Sequence, residues 1–169
     1  TYYRELFSKL LLSPLFEEEG YAANFFDFYV KPILTIASRH GAKGQPQSTP
    51  VKTFHDIFVR NSNTCKHIYI SSPAGCGKTS ILKYMTLTWC QAHQPIVSDN
   101  QWLLDEDINE MRTFMLLFFV YLRDSHESEC DVDIMIQQLL CRLANSDKYA
   151  NSEFLQKLLS NVKCIILLD

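Results

Sequence analysis

The chain has 169 residues, of which 47% are hydrophobic and 12% aromatic, so it is long and apolar enough to bury one sizeable core. Its formal net charge of −3 leaves no excess of Lys and Arg for contacts along a phosphate backbone. A nucleic-acid-binding role is therefore not expected.

The cysteines and the apolar runs indicate a cytoplasmic protein with no membrane contact. Six cysteines are scattered without a C-x-x-C pair, which fits neither a zinc site nor a compact disulfide framework. The longest apolar run, residues 114–122, is far shorter than the ~20 residues that span a bilayer. The sequence begins at Thr1 rather than at a methionine and shows no leader pattern, so we expect it to be part of a longer protein.

The first 52 residues are predicted to be a flanking segment and linker. Leu6, Leu10 and Leu11 recur at helical spacing, which predicts a helix over 2–12. Residues 24–37 favour an extended edge segment, because Pro32 cannot lie in a central strand. Residues 40–50 (HGAKGQPQSTP) have the composition of a connector.

Residues 53–169 alternate between helical and strand patterns, with His93–Glu110 interpreted as a surface excursion between them. Thr53 and Ser152 are predicted N-caps. This order is typical of a parallel sheet and predicts a P-loop NTPase domain, a three-layer α/β/α fold that ends after its metal-binding strand. The predicted helices are 53–60, 79–92, 132–143 and 152–159, and the predicted strands are 66–71, 113–122 and 163–168.

A phosphate-binding loop is predicted between the strand 66–71 and the helix that follows it. The pattern G-x-x-x-x-G-K-[ST] places backbone N–H groups around an anion at a helix N-terminus. The glycines allow positive φ and close approach of the backbone to oxygen atoms. The matching residues are Ser72, Pro73, Ala74, Gly75, Cys76, Gly77, Lys78 and Thr79.

Each polar residue of this loop has a predicted role. Lys78 contacts the β- and γ-phosphates and is the candidate catalytic residue, Thr79 binds Mg²⁺, and Ser80 hydrogen-bonds the α-phosphate. Ser72 stands where glycine is standard, and holding a non-glycine residue there at positive φ would cost on the order of 1 kcal/mol. We therefore expect Ser72 to weaken binding rather than to change the kind of site.

A second part of the site is predicted at the end of the last strand. Residues 164–169 (CIILLD) are an apolar strand followed by Asp169, which has the pattern of the aspartate that holds Mg²⁺ through water. Arg123 and Asp124 follow the preceding strand and are expected at the same carboxyl edge of the sheet, where a solvated surface pair is an equal alternative.

From about Phe25 onwards the sequence resembles the NACHT branch of the STAND NTPases, which includes the NOD-like receptors. The resemblance is carried by IYISSPAGCGKTSILKYMTLTWC (Ile68–Cys90), FFVYLRD (Phe118–Asp124) and CIILLD (Cys164–Asp169). FYVKPIL (Phe28–Leu34) is similar to the segment that passes near the adenine in this family, which implies base contacts around residues 29–35.

The resemblance implies an ATP- or ADP-binding, Mg²⁺-dependent switch that controls self-association in innate-immune-type signalling, with weak ATPase activity in the full-length protein. Further acidic residues, a sensor arginine and helical domains follow the metal aspartate in that family. A later strand of the family lies between the loop strand and the Asp169 strand. We therefore expect unpaired strand edges in this chain.

Two other classes of function remain open. A small-molecule kinase or a GTPase uses the same loop, and a GTPase needs the motif N-K-x-D, which these residues do not contain. A scaffold whose loop no longer binds nucleotide is the third hypothesis, and Ser72 is the residue that suggests it.

Overall fold

The computed structural model describes residues 2–11, 22–37, 48–99, 101–124, 131–145 and 151–169. Short 3-10 turns lie at Val97–Asp99 and Leu122–Asp124. The α-helices in these ranges are α1 (Tyr2–Phe7), α2 (Phe25–Phe28), α3 (Phe54–Phe58), α4 (Lys78–His93), α5 (Asp105–Arg112), α6 (Val132–Ala144) and α7 (Ser152–Asn161). The strands are β1 (Lys9–Leu11), β2 (Ala22–Asn24), β3 (Leu34–Ala37), β4 (Ser48–Val51), β5 (Val59–Arg60), β6 (Asn63–Thr64), β7 (Leu116–Val120) and β8 (Cys164–Leu168).

Among the described strands, the pair formed by β7 and β8 is parallel. β7 and β8 pair in register from Leu116 opposite Cys164 to Val120 opposite Leu168. The other pairs, β1–β2, β3–β4 and β5–β6, are antiparallel. β7 is buried along most of its length, which explains its unbroken apolar sequence. The fold is therefore mixed α/β, and the strands predicted at 113–122 and 163–168 are confirmed with shorter bounds.

The strand predicted at 66–71 does not form. Residues 65–73 have no regular secondary structure, and the sheet of β7 and β8 has no third strand among the described residues. Tyr69 is 92% exposed and Ile68 is 41% exposed, so these side chains, typical of a strand, are not packed in a core. A strand needs a backbone partner as well as a suitable sequence, because its N–H and C=O groups bond outside the strand. Among the described strands β8 pairs with β7 alone, so its other edge is unpaired, as predicted.

The N-terminal predictions hold only in part. The first helix ends at Phe7 rather than at Leu12, and residues 9–11 form β1. Residues 24–37 begin with α2 and become extended only at β3. Residues 48–50 belong to β4 rather than to a connector, while 38–47 lie outside the described residues. Pro50 is tolerated because β4 is paired in a two-stranded hairpin, where its missing N–H can face away from β3.

The stretch between α4 and β7 is structured rather than a surface excursion. It contains α5, where Asp107 and Met111 have no exposed surface. Acidic residues in the first turn of α5 stabilise its N-terminus through the helix dipole. The cap of α7 also differs from the prediction, because the Asn151 side chain, not that of Ser152, accepts from Glu153 N. No helix in the described ranges is both long and apolar enough to cross a membrane.

In the described ranges, the buried side chains form two clusters. The larger brings residues from before position 52, including Phe7 and Phe26, together with residues after it, including Tyr84 and Phe119. The smaller lies between β7, α6 and α7 and is centred on Ile136 and Leu155. The predicted flanking segment therefore shares its core with the predicted nucleotide-binding domain.

Tyr3 closes the edge of β7 that β8 leaves free. Its hydroxyl donates to Leu117 O at 3.2 Å and accepts from Phe119 N at 3.1 Å, so one side chain satisfies two backbone groups of the strand. The ring is buried, 7% exposed, and burial raises the pKa of Tyr3 from 10.0 to about 12. α1 is thereby fixed against the strand that leads to the candidate site.

Tyr3→Phe should lower the free energy of unfolding by about 1–3 kcal/mol, since a buried N–H and a buried C=O lose their partner. Urea denaturation measures this, and Tyr2→Phe is the matched control because Tyr2 is 44% exposed. Because the pKa of Tyr3 is raised in the folded state, its contribution to the free energy of unfolding is complete below pH 10 and is lost as the pH rises towards 12. The difference between wild type and Tyr3→Phe should therefore shrink over that interval. Equal effects of the two substitutions would contradict this role of Tyr3.

Candidate functional site

The loop between the irregular segment 65–73 and α4 has the positive-φ glycines that the motif predicts. Gly75 has φ of +78° and Gly77 has φ of +81°, both in the left-handed region that favours glycine. Gly77 is the N-cap of α4, and its carbonyl accepts from Ile81 N at 2.9 Å. The first turn of a 16-residue helix therefore opens directly onto the loop.

Strain at Ser72, which the sequence suggested, is not found. Positive φ at non-glycine residues occurs at Asn61, Ser62 and Asn145 among the described residues, and not at Ser72. The loop therefore reaches its shape through Gly75 and Gly77 alone. The expected weakening of binding by a strained Ser72 loses its physical basis.

Lys78 folds back across the loop. Its ammonium donates to Ser72 O and Pro73 O, each at 2.9 Å, and lies 3.4 Å from Ser72 Oγ. These carbonyl dipoles offset the unfavourable position of a cation in the first turn of α4. Neutral carbonyl oxygens are weaker partners for an ammonium than phosphate oxygens are, so the lysine can exchange them for an anion.

Asp169 meets the loop at Thr79. The Thr79 hydroxyl donates to Asp169 Oδ1 at 2.7 Å, although 90 residues separate them in the sequence. The backbone of Asp169 is fixed by Leu122 N, which donates to Asp169 O at 2.8 Å, and by Val120 O, which accepts from Asp169 N at 3.0 Å. The two residues predicted to bind metal therefore lie together at the carboxyl end of the parallel pair.

The second carboxylate oxygen of Asp169 is held by Arg123. The guanidinium lies 3.3 Å from Asp169 Oδ2, and its centre lies 4.8 Å from the ring centroid of Tyr121. Arg123 was expected at this edge without an assigned partner, and the structure supplies one. The side chain of its predicted companion, Asp124, lies outside the description.

A cleft of about 570 Å³ borders the loop. Thr79 and Asp169 do not line it, so the cleft approaches the loop from another side. Ser80 is half-buried in the first turn of α4 and does not line it either. The described residues around the cleft include Pro32 to Ala37, Ile57, His67 to Ser72, and Cys76 to Lys78.

An ion pair that the sequence did not reveal fixes Lys31, the residue immediately before one wall of this cleft. Lys31 Nζ lies 3.1 Å from Asp107 Oδ2, and Phe54 N donates to Asp107 Oδ1 at 2.7 Å. Asp107 is completely buried, whereas the Lys31 side chain is 35% exposed. The pair joins α5, α3 and the residues just before β3. Since 76 residues separate Lys31 from Asp107, local pattern alone gives no signal for it.

No group of three or more His, Cys, Asp or Glu side chains that could hold a metal ion occurs in the described ranges. Thr79 and Asp169, the predicted metal-binding residues, offer one hydroxyl and one carboxylate. Comparisons with protein-family models, with curated proteins and with solved structures gave no match.

Proposed function

We propose that this chain is a P-loop nucleotide-binding module of three-layer α/β/α type that binds ATP or ADP together with Mg²⁺. The observation that carries the proposal is the 2.7 Å hydrogen bond from Thr79 to Asp169. If the turn before α4 matched the motif by chance, Thr79 would not be expected to contact the end of a strand 90 residues later. The motif's hydroxyl and the predicted metal aspartate do meet.

The loop supplies the phosphate part of the site. Gly75 and Gly77 hold the backbone open, and a cation and a helix N-terminus face the same space. An anion arriving there gains the Lys78 ammonium and the first amides of α4. Ser80, in the same helical turn, is placed to bind an α-phosphate oxygen in this proposal.

The oxygen atoms of Thr79 and Asp169 fit the preference of Mg²⁺, a hard cation that binds oxygen and keeps several of its waters. Mg²⁺ commonly uses one or two protein ligands and completes its shell with water and phosphate oxygens, so the small protein set is sufficient. When bound, the ion supplies charge that neutralises the phosphates. The protein's part is to hold the two oxygens side by side.

The cleft beside the loop is the proposed place for the base. Residues 32–34 contribute apolar side chains to it, and they lie in the segment that resembles the adenine-binding stretch of the NACHT proteins. The Lys31–Asp107 pair anchors this segment immediately before the cleft. We propose that the base contacts residues of this wall while the phosphates lie in the loop.

Nucleotide exchange or slow hydrolysis would control self-association of the full-length protein. This part of the proposal rests on the resemblance to the NACHT proteins. A kinase or a GTPase would share the phosphate and metal positions, and the nucleotide preference separates those classes. The scaffold hypothesis stays an alternative that rests on Ser72, although strain at Ser72 does not support it, because its φ is not positive.

Nucleotide should protect Cys76 from alkylation. Cys76 is exposed between Gly75 and Gly77, so a bound phosphate would cover its thiol. At a nucleotide concentration ~100 times the Kd, only about 1% of sites are free, and the rate of reaction with iodoacetamide should fall as much as ~100-fold. Mass spectrometry of cysteine-containing peptides measures each rate.

Cys141, half-buried on α6, is the internal control and should react at one rate with and without nucleotide. Cys90 should react slowly throughout, because burial raises the pKa of its thiol to about 11. Unchanged alkylation of Cys76 at saturating Mg²⁺ and ATP or ADP would contradict the proposed site.

A further inference from the structure

Both oxygens of the Asp169 carboxylate are already engaged. Oδ1 accepts from Thr79 at 2.7 Å, and Oδ2 faces the Arg123 guanidinium at 3.3 Å. The carboxylate itself is largely enclosed, 11% exposed, whereas the Arg123 side chain is 67% exposed. Arg123 thus lies beside Oδ2, one of the two oxygens with which Asp169 could bind a metal ion or a water of its shell.

An arginine in this position cannot be neutralised. The guanidinium of an arginine is a permanent cation in proteins, so the charge is present with or without a metal ion. A divalent cation beside Asp169 would repel it at a distance of a few ångströms. Because most of its side chain is in water, Arg123 can move away when the ion arrives.

The position of Arg123 is fixed by more than this one contact. Its guanidinium lies against the face of Tyr121, which favours a planar cation. The neighbouring Leu122 N donates to Asp169 O, which continues the parallel ladder past β7. The backbone hydrogen bond at Leu122 therefore holds Arg123 next to the Asp169 carboxylate.

We propose that Arg123 is the resident counter-ion of Asp169 and competes with Mg²⁺ for that carboxylate, so that it raises the Mg²⁺ concentration needed for nucleotide binding. The inference rests on the proposed function and concerns a residue to which the phosphate motif assigns no role. In this interpretation Arg123 is a positioning residue that sets the metal requirement, not a group that contacts the reacting atoms.

Arg123→Gln tests the inference through binding, without any measurement of turnover. A fluorescent ADP analogue at fixed concentration is titrated with Mg²⁺, and the Mg²⁺ concentration at half-saturation is compared with that of wild type. Because exposed ion pairs are weak, the Mg²⁺ concentration at half-saturation should be about 1.4- to 5-fold lower in Arg123→Gln than in wild type. Arg123→Lys keeps the positive charge and should lie closer to wild type.

Arg142→Gln is the matched control, because Arg142 is an exposed arginine in the last turn of α6 and its loss changes the net charge equally. It should leave the Mg²⁺ requirement unchanged. An unchanged or increased Mg²⁺ requirement in Arg123→Gln would overturn the inference while leaving nucleotide binding intact. Failure of the wild-type protein to bind the analogue at any Mg²⁺ concentration would overturn the proposed function and the inference with it.

Discussion

Lys78→Ala should weaken binding of ATP and ADP by about 10- to 150-fold. This is the affinity expected to be lost when the charge-assisted hydrogen bond from the lysine to phosphate is removed. The ammonium reaches back to Ser72 O and Pro73 O, so it lies within the loop beside its first two residues. Alanine removes this cation and leaves Gly75 and Gly77 to shape the backbone. Isothermal titration calorimetry in the presence of Mg²⁺ measures the loss.

Lys78→Ala should have little effect on the fold. The two carbonyl groups that lose the ammonium lie at the exposed or half-exposed residues Pro73 and Ser72, where water can replace it. Lys83→Ala is the matched control on the same helix, because the Lys83 ammonium lies over the Phe7 ring rather than in the loop. Equal nucleotide affinities of Lys78→Ala and wild type would show that the loop is not the phosphate site.

Lys31→Met should be the most destabilising of the substitutions considered, by about 3–5 kcal/mol, because it leaves a buried carboxylate without its cation. Asp107 has no exposed surface, and its remaining partner is Phe54 N at 2.7 Å. A single hydrogen bond does not compensate for the desolvation of a full negative charge. Thermal and urea denaturation measure the loss.

A second substitution separates the charge from the packing in this pair. Removing both partners, as Lys31→Met with Asp107→Leu, should recover part of the stability, since no uncompensated charge is then buried. Lys52→Met removes the same charge from an exposed position and should change stability by less than about 0.5 kcal/mol. If Lys31→Met were as mild as Lys52→Met, the pair would be a surface interaction and not an anchor of the residues just before β3.

Elements with their own periodic pattern could be predicted from the sequence. α4 was predicted at 79–92 and is observed at Lys78–His93, because Ile81, Met85 and Trp89 recur at helical spacing. β8 was predicted from its apolar run and is found within the predicted bounds. The positive φ of Gly75 and Gly77 also follows from the motif, since glycine is the residue that adopts it without strain.

The failures share a physical cause, which is that the deciding partner is distant in the sequence. Residues 66–71 have strand-like composition, yet a strand exists only where another backbone meets it. α5 is acidic and looks like a surface loop, but Lys31 and Phe54 N make it favourable to bury Asp107. β1 ends the first helix early because residues 9–11 pair with β2.

The same distinction applies to the site. Lys78, Thr79 and Asp169 were identifiable by motif and by position at a strand end, and the motif also suggested their roles. The contacts from Asp169 to Thr79 and to Arg123 depend on how the parallel pair meets the loop. Local pattern places Arg123 at the edge of the sheet, whereas only the three-dimensional arrangement gives it a partner.

The most direct test of the central claim is a calorimetric titration of the wild-type protein with ATP, ADP and GTP, each with and without Mg²⁺. We expect ATP or ADP to bind at one site per chain, with affinity that increases when Mg²⁺ is present and with preference over GTP. Preferential binding of GTP would favour the GTPase class over the adenine-nucleotide switch. If none of the three nucleotides gave binding heat, with or without Mg²⁺, the claim that this loop and Asp169 form a nucleotide site would be contradicted.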